Sequence, residues 1–115
     1  MIDLGKAVHM EFEIEKPLVG GFTGGDAVAR RMIAAEAVRV GFDKNVTAGP
    51  ERPGKDVLIL RSKTFYEKNR DFHERYYREN AEKLARLYMW KVVKAKTVSN
   101  TPDKEASDVV GDESK

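Results

Sequence analysis

The chain has 115 residues, 41% hydrophobic and 35% charged, with a formal net charge of +2 and no cysteine. A chain of that size buries roughly two-thirds of its unfolded surface, enough for one modest core. The composition excludes disulfides, thiolate metal sites and thiol catalysis, and no stretch approaches the ~18 apolar residues of a membrane-spanning helix.

Charge is unevenly spread. Residues 1–29 carry five acids and two bases, and residues 99–115 repeat that balance. Residues 30–63 carry eight bases and four acids, and residues 64–98 nine bases and five acids. Acidic ends on a basic middle predict that the termini lie on basic surface, of the same chain or of a neighbour, or form ordinary solvated ends. The first residues lack the basic and apolar regions of a signal peptide, which predicts cytoplasmic synthesis.

Ala7–Lys16 reads as a strand. Val8, Met10, Phe12 and Ile14 alternate with His9, Glu11, Glu13 and Glu15, so one face enters the core and the other is acidic. Pro17 cannot donate to a ladder, so pairing stops there or the strand lies at an edge. Three Glu would protect such an edge from unwanted pairing.

Val19–Asp26 places Gly pairs on both sides of Phe22-Thr23. A Walker loop would need Lys where Asp26 stands, and the dinucleotide fingerprint is missing. Gly21-Phe22-Thr23-Gly24 matches the short Gly-x-x-Gly of KH domains, but without the basic residue such loops offer. Asp26 is better explained as the N-cap of the following helix, and Phe22 as an aromatic tip for a partner. Ala27–Val40 reads as that helix, ending at Gly41. Its apolar residues circle the axis, which predicts burial on two sides. Phe42–Lys55 has turn punctuation and no periodicity, and Asp56–Ser62 reads as a buried strand around Val57-Leu58-Ile59-Leu60.

From Thr64 to Val98 there is neither Gly nor Pro, and the stretch holds all four Tyr and the single Trp. Thr64 and Glu67 fit a capping box, which predicts one long helix from Phe65. At about 100° per residue, Tyr66, His73, Tyr77, Ala81, Leu84, Tyr88, Val92 and Ala95 share one stripe, and Phe65, Phe72, Tyr76 and Trp90 another. Asp71–Arg75 and Glu79–Lys83 are spaced as helical ion pairs. Residues 1–98 form the expected domain, and 99–115 an acidic polar tail.

The expected class is α+β, a small βαβα-type domain with a short sheet, one mid-length helix and one long C-terminal helix. Two strands make a poor sheet, so either Ile2–Leu4, Leu18–Phe22 or Val46–Ala48 adds strands, or a neighbouring subunit does.

No motif carries catalysis. His73 on the apolar stripe reads as a hydrogen-bonded core ring. His9, Glu11 and Glu13 share a strand face but lack a further metal ligand. No catalytic, cofactor or metal residue is assigned, and no enzyme, membrane partner or small-molecule substrate is expected. The leading expectation is a structural or adaptor subunit of a larger particle, a homo-oligomer or co-assembled protein, with a virion capsid, connector or tail as its setting. Its contacts would be Phe22, Phe65, Phe72, Tyr76 and Trp90. The alternative is nucleic-acid binding through Arg75, Arg78, Lys83, Arg86, Lys91 and Lys94, where bases interleave with aromatic rings.

Overall fold

The computed structural model describes residues 3–17 and 27–100. The elements are β1 (Ala7–Pro17), α1 (Ala27–Arg39), β2 (Thr47–Ala48), β3 (Lys55–Arg61), β4 (Phe65–Tyr66), α2 (Arg70–Leu87) and β5 (Lys91–Ser99), with a 3-10 turn at Glu67–Asn69 leading into α2. The glycine-rich segment with Phe22 and the tail beyond Asn100 lie outside the described residues.

β1 organises the sheet. It pairs antiparallel with β3 through residues 11–17 and with β5 through residues 8–15, so these two lie on opposite edges of it. β4 pairs at Ala7 and Val8, and Val8 also faces Ser99 of β5, which places β4 on the β3 side. β2 pairs antiparallel with the far edge of β3. The order is therefore β2-β3-β1-β5, all neighbours antiparallel. Each helix crosses between two parallel strands that have a third strand between them. That is the split β-α-β arrangement of ferredoxin-like folds, and such a fold by itself assigns no function.

The period-two pattern of β1 becomes two faces. Val8, Met10, Phe12 and Ile14 are at most 4% exposed and join Ile33 and Ala37 of α1, Leu58 and Leu60 of β3, and Tyr77, Ala81 and Leu84 of α2 in one core. Phe42 crosses Phe12 and Tyr77 edge-on, at ring-centroid distances of 6.1 and 5.1 Å. The chain after β2 approaches β3 so closely that a Cβ on Gly49 would lie 2.4 Å from Val57 Cγ1; only hydrogen fits there.

The α+β class and the presence of two helices are as the sequence predicts, and of the places named for a further strand Val46–Ala48 holds one, the two-residue β2, inside the segment read as a loop. Several expectations need correction. β1 is the central strand and not an edge; Glu11 faces bases on both neighbouring strands, and Arg52 and Lys55 meet Glu13 and Glu15, which is why a carboxylate row is tolerated there. α1 buries one side only (Ala29, Ile33, Ala37) and leaves Val28, Met32 and Val38 exposed.

The long helix is shorter than its uninterrupted sequence implies. Phe65 and Tyr66 add to the sheet, Thr64 does not cap the helix, and Glu67 Oε1 instead accepts the Lys6 N–H at 3.2 Å. Its helical ion pair is Arg70–Glu74 at 2.8 Å, in place of Asp71–Arg75 and Glu79–Lys83. Residues 91–99 form β5, so the strands missing from the sequence reading come from the same chain. The β-branched Val92, Val93, Thr97 and Val98 favour that strand.

Candidate interaction surface

The sheet face away from the helices is a charged lattice. Cross-strand partners share a face, so Glu11 lies between Arg61 and Lys96, and Glu13 between Ile59 and Lys94. Arg61 Nη2 is 3.2 Å and Lys96 Nζ 3.6 Å from Glu11. Arg52 pairs with Glu13 and, at 3.4 Å, with Glu15, which also meets Lys55 at 3.3 Å. His9 sets Nε2 3.1 Å from Glu11 Oε2 and Nδ1 against Asn100 Oδ1. Asn100 Nδ2 in turn donates to Thr64 Oγ1 at 2.6 Å. Glu11 and Glu13, the carboxylates on the strand face of His9, are thus each held by a base. Among the described residues, no three His, Asp or Glu side chains are placed to share an ion. These contacts tie the ends of β1 and β5 to the chain before β4.

Two of the carboxylates tie stability to pH. His9, with Arg61 and Lys96 behind it, holds Glu11 below the usual carboxylate range. The Thr97 hydroxyl, followed by Arg70, does the same for Glu74. A depressed folded pKa contributes stability that is complete above the unfolded value and is lost as pH falls through the folded one. The urea midpoint is therefore expected to hold near neutrality and to drop below about pH 4.5. Glu74→Gln should flatten that acid limb; an unchanged limb would show that Glu74 does not contribute to it.

On the other side of the sheet, α1 and α2 form the outer layer. Tyr76 and Tyr77 donate from their hydroxyls to Val40 O (2.6 Å) and Gly41 O (3.0 Å), satisfying carbonyls at the end of α1. Burial pushes the Tyr77 phenol up. His73 bonds Asn69 O at 2.9 Å and stacks on Phe65, rings 5° from parallel, with Phe72 edge-on.

The residues expected to make contacts separate here. Phe65 and Trp90 are each 3% exposed. They are core residues, because β4 carries Phe65, and the turn before β5 carries Trp90, into the core. Phe72 is 64% exposed and Tyr76 stands at the surface beside α1. Phe22 lies outside the described residues.

Sequence reasoning missed the turn from α2 to β5. Met89 N donates to Arg86 O at 3.1 Å and Trp90 N to Ala85 O at 2.8 Å. Those two bonds, with Met89 at φ 65°, make a Schellman ending with methionine where glycine is usual. Trp90 is pulled into the core, while Leu87 and Met89 project with 68% and 80% exposure. Arg86 borders a shallow cleft of about 310 Å³ with Trp90, Lys91 and Glu82, and a second of about 390 Å³ with Lys83 and Leu87. No glycine or proline marks this turn, so the only sequence signal was the β-branched run behind it.

The six proposed nucleic-acid contacts are all exposed and make no ion pair within 4 Å among the described residues, but they do not form one surface. Lys94 faces Glu13 on the open sheet face, opposite the helices. Arg78 lies one helical turn beyond Glu74 and helps to lower its pKa. Arg75, Lys83 and Arg86 share the outer side of α2 with Asp71, Glu79 and Glu82, so phosphate contact there would meet interleaved acids.

No family model, curated protein or solved structure matches the chain.

Proposed function

We propose that this protein is a non-enzymatic, self-associating subunit of a multi-subunit assembly and makes its contacts through the outer helical layer. One observation carries the reading: Phe72, Leu87 and Met89 stand 64–80% exposed on α2 and its turn, where the core has no use for them. Apolar side chains of this size, set among arginines, match the composition of interface centres. The edge of β5 that is unpaired among the described residues is a poorer route to assembly. Lys91, Lys94 and Lys96 and the irregularity opposite Glu13 and Ile14 are devices that discourage strand addition.

Sedimentation velocity at tens of micromolar tests it. The wild-type chain is expected above its 13.0 kDa monomer mass, and Phe72→Asp with Leu87→Asp should raise the dissociation constant at least about tenfold, or about 1.4 kcal/mol, with the melting temperature unchanged. A wild-type monomer throughout would overturn the proposal. Salt-sensitive retention of a single-stranded oligonucleotide, lost on charge reversal at Arg75, Lys83 and Arg86, would favour the nucleic-acid alternative instead.

A further inference from the structure

The turn between α2 and β5 holds its most exposed side chain in a backbone conformation that disfavours it. Met89 occupies the left-handed region, where a Cβ meets the following carbonyl and glycine would be at ease. Its side chain, 80% exposed, returns almost no packing to the fold. A strained residue with an unused side chain is the kind of local outlier from which a contact role is inferred. Leu87 projects two residues before it, with Lys83 and Arg86 beside Leu87 and Lys91 bordering the same cleft as Arg86 and Trp90. None of the three makes an ion pair within 4 Å among the described residues; Glu82, beside Arg86, is the acid closest in sequence. The hydrogen bonds from Met89 and Trp90 back to α2, together with the buried Trp90, hold this knob in place before anything binds it.

The complement is in the same chain. Residues 101–115 carry five acids and two bases, and Asp108-Val109-Val110-Gly111-Asp112 places an apolar pair between two carboxylates. We infer that this acidic segment of one copy docks on the α2–β5 turn of another, with Val109 and Val110 against Leu87 and Met89 and the carboxylates toward Arg86 and Lys91. The inference rests on the self-association proposed above and supplies its chemistry.

Geometry favours a second copy over the same chain. β5 runs from Lys91 away to Ser99, about 30 Å at strand spacing. The nine residues from Asn100 to Val109 cover about 30 Å only when fully extended, so a return within one chain leaves no slack. Donation between copies has no such limit, and it is head-to-tail, the type of contact that builds rings or filaments. Two copies meeting turn to turn would instead bring like charges together. A bilayer is also a weaker fit, because two side chains offer less apolar length than one myristoyl chain, which alone binds membranes only marginally.

The chain has no native cysteine, so a nitroxide on Ser107→Cys marks the tail uniquely, and the single Trp90 gives one indole N–H resonance. Full-length labelled copies are mixed with isotope-labelled copies that carry no nitroxide. Broadening is expected at Leu87, Met89 and the Trp90 indole, falling severalfold with Met89→Gly, Arg86→Glu or added salt, and persisting with Met89→Leu. Broadening between copies that is absent, that centres on Lys94 and Lys96, or that ignores Met89→Gly would overturn the inference. Sedimentation of the same samples separates the two ideas. Oligomers without broadening at the turn sink the tail contact alone, whereas monomers without broadening sink both.

Discussion

Trp90→Ala is expected to lower the folding free energy by about 3–5 kcal/mol, the usual cost of deleting a buried indole. A domain of this size has about 5–15 kcal/mol in total, so the variant should be partly unfolded at physiological temperature. The prediction also separates two roles for the residue. As an interface aromatic, which its helical spacing suggests, it could be truncated with weakened association and an intact fold. Buried to 3% exposure among Leu84, Ala85 and Val92, it should show the reverse. Its indole nitrogen has no hydrogen-bond partner among the described residues, so Trp90→Phe forfeits volume but no hydrogen bond and should retain most of the stability. Chemical denaturation of the three proteins reads the difference. A fully stable alanine variant would remove Trp90 from the core.

Met89→Gly should act in the opposite direction. A left-handed residue with a side chain costs roughly 1–2 kcal/mol, and glycine gives part of that back through its freer unfolded chain. The net expectation is about 1 kcal/mol of added stability, or roughly 4–8 °C in melting temperature for a domain near 100 residues. Stabilisation accompanied by weaker association would mean that the native side chain serves contact at the expense of folding. A drop in melting temperature would show that Met89 supports the turn by packing, against its 80% exposure.

The legible parts of the fold were those where one local pattern dominates. β1 alternates strictly over eight residues, α1 ends at Gly41, and Tyr77, Ala81 and Leu84 fall on the helical stripe that proves to be buried. The stretch from Lys91 to Ser99 was misread for two physical reasons. Its helix stop uses Met89 in place of glycine. Its period of two breaks at the irregularity facing Glu13 and Ile14, so the core-facing Val92 and Ala95 stand three residues apart and continue the helical stripe from Tyr88. Trp90 followed from that error, and Phe65 from the Thr64–Glu67 capping box that the structure does not use; helical spacing then put both with Phe72 on one outer face. The charged sheet face was half visible. The Glu row of β1 could be read directly, but its partners Arg52, Arg61 and Lys96 come from distant parts of the chain, and no local pattern records that pairing.

The central place of β1 has a consequence for how the chain is made. One side of it is completed early, by β3 and β4, but the other waits for β5, more than seventy residues later on the ribosome. Until β5 emerges, the nascent sheet carries a bare row of amides beside Met10, Phe12 and Ile14. Such long-range closure is slow, and the waiting edge is where neighbouring nascent chains could join it. Glu11, Glu13 and Glu15 sit along that interval, and Lys96, which pairs with Glu11, is still unmade. The acids therefore guard an edge that exists during synthesis and disappears when folding is complete.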